Sequence, residues 1–455
     1  MIKIPYGDEV LLFDAPDRRV KAILCAGGCS GQGAEAPGVQ GEGTPNACTS
    51  DAAGADALDA PEENNAQETI VLNALAHPVG SPPLHELAKG KRKVTIITSD
   101  HTRPMPSKAT MPLLLEEIRK GSPDADILIL VATGLHRATT ADELKERFGE
   151  EICQNEKIIV HDCRDESILR NIGTLPSGGS LVLSRYALDA DLLISEGFIE
   201  PHFFAGFSGG RKSVLPGVAG YECVVSNHSS AFIANKNAAA GILIENPIHI
   251  DMAYAAKKAG LAFILNVLLD ERQEIDDAVA GEPEKAHADG CERLLKKVAV
   301  GRATAPIVVT SNGGYPLDQN LYQLVKCMDA AEKCCEEGGV IIAVGECRDG
   351  VGGDAFYNDF AGGDSPQALL KRFLSRSATE TGTDQWQSQV LARILEKRSV
   401  IVVAPLIEDA VKGMRLGWAA NLDDALVQAD AILGRPEGEE AEIIVIPNGP
   451  GVVVV

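Results

Sequence analysis

The chain has 455 residues, 45% of them apolar and 24% charged, and carries a formal net charge of -23 at pH 7. Such a length suggests roughly two to three domains with ample material for cores. The acid excess argues against nucleic acid or an anionic membrane as partner, since both require a basic surface, while leaving room for a local basic pocket around a small anion.

The chain opens without a basic stretch followed by an apolar one, so a secretory leader is not expected. The longest aliphatic run, ILILVA at 127–132, is far short of the about 20 residues that span a bilayer. Eleven scattered cysteines with no C-x-x-C pair fit a reducing cytoplasm better than a disulfide framework. Cys25 and Cys29 lack further ligands nearby, so no metal site is expected on them. After an N-terminal strand pair, residues 26–68 are small, acidic and turn-forming, with large apolar residues almost missing. Such a segment buries too little surface to offset its ordering entropy and reads as a disordered surface insertion.

From residue 93 short aliphatic runs alternate with amphipathic stretches. Candidate strands are 93–98, 126–132, 157–161, 190–195, 262–269, 306–311, 339–344, 399–405 and 442–447. Helical patterns lie between them, as in PSKATMPLLLEEIRKG, IDMAYAAKKAG and LYQLVKCMDAAEK. This pattern predicts an α/β protein with mainly parallel sheets covered on both faces. The expected division is a cofactor-binding domain over 1–300 and a second α/β domain over 301–430. Residues 430–455 are a candidate to rejoin the first.

Unusual residues follow the strands. KVTIIT runs into SDHTRPMP, DILILVA into TGLHRATT, ADLLIS into EGFIEPHFFAGFSGGRK, and PIVVTS into NGGYPLDQN. Open α/β sheets bind ligands at the carboxyl ends of their strands, so an inter-domain cleft is the expected site. Within PHFFAGFSGGRKSVLPG, Lys212 invites a phosphate-loop reading, which fails because Arg211 occupies the position that needs glycine. A desolvated Schiff-base lysine and a plain surface turn remain open. His101, His136, His202 and His228 lie in or near the strand-end loops. His77, His85, His161, His249 and His287 read as incidental. His136 and His202 follow different strands and suit acid/base work from two directions, or a structural role. Arg103 suits a carboxylate or phosphate, or a salt bridge to Asp100. Gln323 and Lys326 share one helix face, reaching a cleft or simply facing solvent.

Taken together, SDHTRPMP, VATGLHRATT, GFIEPHFFAGFSGGRKSVLPG, SNHSSAF, TSNGGYPLDQNLYQLVK and TDQWQSQ resemble the nickel-pincer lactate racemase family, in order and with similar spacings from 77 to near the C-terminus. The 26–68 segment is the main departure. The resemblance implies a cofactor built of nickel(II) and a pyridinium-3-thioamide-5-thiocarboxylic acid mononucleotide, tethered to Lys212, with His228 as a protein ligand to the nickel. It implies His136 and His202 as paired acid/base residues, and Asp100, Thr102 and Arg103 in a loop against the cofactor. Arg103, Gln323 and Lys326 would hold the substrate, and Trp386 would be a wall or an inter-domain contact. The implied activity interconverts D- and L-lactate by reversible hydride transfer to the pyridinium, with the same chemistry on malate, 2-hydroxyglutarate or a longer 2-hydroxy acid as the alternative. A non-catalytic phosphate binder is the reading from a different class. Cofactor-biosynthesis proteins are the implied partners.

Overall fold

The computed structural model describes residues 1–14, 19–30, 60–270, 272–436 and 438–455. The chain forms two compact units. A central unit comprises 54–228 and 235–294, and a terminal unit comprises 1–53, 229–234 and 295–455.

The central unit is built on a six-stranded sheet. In chain order its strands are β1 (Lys93–Ser99), β2 (Asp126–Ala132), β3 (Lys157–Val160), β4 (Leu192–Phe198), β5 (Leu261–Leu269) and β6 (Ile275–Gly281). They lie in the order β6-β5-β4-β1-β2-β3, with only β6 antiparallel to its neighbour. The runs are aliphatic because both faces are covered. Ile96, Ile129, Ile194 and Phe263 pack with Met111, Leu114 and Ile118 of the helix Ser107–Gly121. Successive strands run outward from β1 through β2 to β3, whereas β4 returns to pair with the other side of β1. The switch point of the sheet is therefore between β1 and β4. The crevice outside their carboxyl ends is where this class of sheet binds ligands. Asp100 follows the first of those ends directly, and His202 lies in the loop segment just beyond the second.

The helix Ala60–Ala76 belongs to this unit and corrects the expectation for 26–68. Val71 and Leu75 are buried in its core, at 0% and 2% exposure, so apolar residues four apart just beyond the acidic stretch give the helix a face to dock. At the other end of that stretch Gly28–Ser30 is a strand. Residues 31–59 lie outside the described ones.

The terminal unit carries a seven-stranded sheet. Its order is Gly417–Ala419, Ser399–Val403, Cys335–Val344, Ala305–Ser311, Ile443–Ile446, Val20–Cys25 and Gly28–Ser30. Val20–Cys25 and Gly28–Ser30 thus complete this sheet instead of opening a 1–300 domain, and 443–446 stays within it. The reason is strand pairing: Ile443 pairs with Val20 and Ile444 with Ala22, a register that no local pattern announces. The N-terminal hairpin Ile2–Tyr6/Glu9–Phe13 is tied down at its turn, where Gly7 N donates to the buried Asp318 Oδ2 at 2.7 Å.

Candidate active site

In the central unit, Asp100 sits one residue past β1 and is 2% exposed. Its Oδ2 accepts from His136 Nδ1 at 2.7 Å, while Oδ1 accepts from Thr102 N at 3.1 Å and Thr102 Oγ1 at 2.6 Å. Burial works against the ionised carboxyl. The hydrogen bond and charge of His136, the charge of Arg103 and the Thr102 hydroxyl outweigh it, holding Asp100 well below the usual carboxylate range. The arrangement puts the His136 proton on Nδ1 and leaves a lone pair on Nε2, the tautomer a base requires. Arg147, unremarked in the sequence, braces the same loop by donating to Asp100 O at 2.5 Å, Arg103 O at 2.7 Å and Met105 O at 3.2 Å. The backbone of the His136 turn is joined to the far end of the 201–217 stretch, where Gly134 N donates to Gly217 O at 3.0 Å.

The 201–217 stretch begins as a tight hairpin, Pro201–His202 against Gly206–Phe207. Gly206 adopts a φ of +80°, and a Cβ there would lie 2.4 Å from Ile242 O, so only glycine fits. Ala205 N donates to His202 Nδ1 at 3.3 Å. The His202 ring stacks on Phe203 and meets Phe204 edge-on with centroids 4.5 Å apart. Phe204 in turn meets His228 edge-on at 5.2 Å. One buried ring therefore spaces the candidate base from the candidate metal ligand.

Lys212 lies in the single helical turn Gly210–Ser213 that closes this stretch. His228 is 6% exposed and its Nδ1 donates to Val224 O at 2.9 Å. Burial, then the nearby charge of Lys212, push its pKa down to about 3 against the backbone bond to Val224. It is a neutral imidazole, and tying Nδ1 to a carbonyl is how proteins orient a metal-ligating histidine. Among the described residues no group of three or more His, Cys, Asp or Glu side chains is placed to hold a metal by itself. The residues present fit a site where one histidine supplements donors carried by a lysine-linked group.

His249 and His287, expected to be incidental, are organisers of this region. Both contact Arg211, whose guanidinium is 5% exposed. The sequence treated Arg211 only as a mismatch to a phosphate loop. Asn266 on β5 was also passed over; its Oδ1 accepts from Gly210 N at 2.8 Å.

In the terminal unit, Gln323 and Lys326 lie one turn apart on the helix Leu321–Glu332, which is capped by Asn320 accepting from Gln323 N at 2.9 Å. Both are half-buried between the buried Leu324 and Val325. Trp386 Nε1 donates to Tyr322 OH at 2.9 Å, and Gln387 Nε2 to Tyr322 O at 2.5 Å. Within its own unit Trp386 thus steadies the first turn of the helix that carries Gln323.

Residues 48–241 match the lactate racemase N-terminal domain, and 300–454 the lactate racemase C-terminal domain. A lactate racemase of Thermoanaerobacterium thermosaccharolyticum is 48% identical over 454 residues, covering 100% of this chain and 99% of that one. The chain belongs to the lactate racemase family. A lactate racemase of Lactiplantibacillus plantarum is 49% identical over 389 residues, 85% of this chain and 91% of its own. The solved lactate racemase apoprotein from T. thermosaccharolyticum superposes with a TM-score of 0.89 at 47% identity, covering 100% of this chain and 99% of that chain. A Thermotoga maritima crystal structure shares the fold, with a TM-score of 0.60 at 18% identity over 83% of this chain and 100% of its own. No helix among the described residues is long and apolar enough to cross a membrane.

Proposed function

We propose that this protein is a lactate racemase, an isomerase that interconverts D- and L-lactate with a nickel-pincer nucleotide tethered to Lys212. The observation that carries the reading is His228, a buried neutral imidazole with Nδ1 committed to Val224 O, set beside Lys212. Lys212 would hold the nucleotide through a thioamide, and His228 would complete a nickel site of soft sulfur donors and one imidazole. When bound, that group supplies a reversible acceptor for the C2 hydride of lactate.

The residues of the chain do the rest. The α-hydrogen of a 2-hydroxy acid is a poor proton, because the adjacent carboxylate resists a second negative charge. Departure of that hydrogen with its electron pair avoids the carbanion, and the hydroxyl proton must leave at the same time. His136 is built to take it, with Nε2 open and Nδ1–H held by ionised Asp100. The product of that step is the 2-keto acid, pyruvate. Return of the hydride to its other face and of a proton to its oxygen gives the opposite enantiomer. His202 serves that second orientation, since the two enantiomers direct their hydroxyls differently. Arg103 would hold the carboxylate and keep the keto acid aligned.

The test is conversion of D-lactate by protein made in a cofactor-competent host. L-lactate should accumulate to an equal mixture, and intact mass should show an adduct that Lys212→Ala abolishes. Loaded protein inactive on lactate but racemising malate or 2-hydroxyglutarate would redirect the substrate assignment. Reversible ATP binding with no adduct would overturn the enzyme reading itself.

A further inference from the structure

Glu196 has no part in the chemistry above. It is a carboxyl side chain in β4, a strand whose every residue is buried, and is itself 1% exposed. The aliphatic run that marks this strand in the sequence stops at Ser195, so Glu196 reads there as loop. A buried carboxyl group is costly unless donors take up its oxygens. Three hydroxyls do so. Thr98 Oγ1 and Ser107 Oγ donate to Oε1, each at 2.6 Å, and Thr110 Oγ1 donates to Oε2 at 2.7 Å. Ser195 pairs with Ile97 in parallel register, which brings Glu196 beside Thr98. Alternation puts both on the face that carries Ile96 and Ile194. The helix Ser107–Gly121 covers that face with a buried stripe that begins in the hydroxyls of Ser107 and Thr110 and continues in Met111, Leu114 and Ile118. This helix has no side-chain cap at Pro106 and no acidic residue in its first turn. Glu196 supplies, from the neighbouring strand, the acidic group that a helix N-terminus favours.

The consequence falls on the loop between strand and helix. Residues 100–106 leave β1 after Ser99 and re-enter regular structure at Ser107, and they carry Asp100, Thr102 and Arg103. One oxygen of Glu196 joins Thr98, just before that loop, to Ser107, just after it. The loop is thereby closed at its base. Arg147 holds its interior by the carbonyls of Asp100, Arg103 and Met105. The two grips are complementary, one on hydroxyls flanking the loop and one on carbonyls along it. Thr98 and Glu196 are set by the sheet, so Glu196 is a fixed post to which the helix start is drawn. We propose that Glu196 is a positioning residue for the 100–106 loop, whose carboxyl group pins the return of the loop at Ser107 to the end of β1 and so fixes where Asp100 and Arg103 stand. The proposal deepens the racemase reading and rests on Arg103 and the Asp100–His136 pair being its working groups. A glutamine at 196 keeps one oxygen for Thr98 and Ser107. Its NH2 group then faces Thr110, whose hydroxyl proton has Pro106 O as an acceptor at 3.4 Å. An alanine leaves all three hydroxyls without their acceptor.

Amide hydrogen exchange of the full-length apoprotein, read by mass spectrometry over peptides from the 100–106 loop and from β1 and β2, tests the clamp. Thr102 N and Arg103 N are both bonded to Asp100 and report on the loop. In Glu196→Ala the loop amides should exchange at least about tenfold faster, the scale of three lost hydroxyl bonds, while β1 and β2 keep their protection. Unchanged loop exchange, or an equal acceleration across loop and sheet, would overturn the proposal. Glu196→Gln should exchange like the wild type, and a glutamine variant as fast as the alanine one would overturn it too. If Glu196→Ala fails to fold, Ser107→Ala carries the test, since it frees the return of the loop and leaves Glu196 its other two donors. The same local acceleration is then expected, and its absence overturns the proposal. In loaded protein Glu196→Ala should lower kcat by about 10²-fold, the scale of a small misplacement, and raise KM, because Arg103 moves with the loop. A protein that is merely less stable loses kcat with its folded fraction and keeps its KM, so an unchanged KM would overturn the positioning role. A wild type inactive on lactate would sink the racemase reading instead, while exchange in the apoprotein still decides whether the clamp exists.

Discussion

Asp100→Asn is the sharpest perturbation of the proposed base. Oδ1 of Asp100 accepts two donors from Thr102, and Oδ2 accepts one from His136. An asparagine has a single oxygen, so one side must receive its NH2 group. Turning the oxygen toward Thr102 satisfies two donors and directs the NH2 at His136 Nδ1. That nitrogen must then become the acceptor, moving the proton to Nε2 and removing the base. The lost charge-assisted bond alone is worth about 1.5–3 kcal/mol, or about 10- to 150-fold in rate. Tautomer reversal adds to this, and a comparable substitution beside a catalytic histidine costs about 10⁴-fold. We expect kcat to fall by about 10²–10⁴-fold, with KM and the Lys212 adduct mass unchanged. Initial rates in both directions, with intact mass on the same preparation, provide the measurement. A variant retaining kcat within about threefold of wild type would refute the assignment of His136 as an Asp100-oriented base.

Three further outcomes follow from the geometry. Gly206→Ala must place a methyl group 2.4 Å from Ile242 O at a φ of +80°; a loss of more than about 1 kcal/mol is expected in urea denaturation, with His202 misplaced and activity lost. Trp386→Phe removes the 2.9 Å bond to Tyr322 and should cost about 1 kcal/mol, and an unchanged denaturation midpoint would show that the bond is idle. Buried neutral His249 and His287 bind protons less readily than their unfolded counterparts, which titrate near ~6.5. The unfolded chain therefore binds more protons below that value. Apoprotein stability should fall as the pH drops from about 6.5 toward 4, by up to about 1.4 kcal/mol per pH unit for each histidine, as followed by the urea midpoint at successive pH values.

The sequence by itself determined the alternation of buried strands and helices, because strands covered on both faces must be continuously apolar. It also determined which polar loops stand at carboxyl strand ends, since parallel strands bring those loops to one edge. His136, His202, Lys212 and His228 were legible there as unusual residues, and the roles proposed for them rest on the whole ordered motif set. Tertiary structure alone decided the partners. The bond from His136 to Asp100 joins residues 36 apart and that from Arg211 to His287 residues 76 apart, separations at which local pattern carries no information. The same holds for Val20–Cys25, which pairs with Ile443–Ile446. It holds too for the helix Ala60–Ala76, whose short apolar face acquires meaning only when a core is there to receive it. Arg211 shows the difference most plainly: as a letter in GGRK it spoiled a phosphate loop, and in the fold it is the cation around which the loop closes.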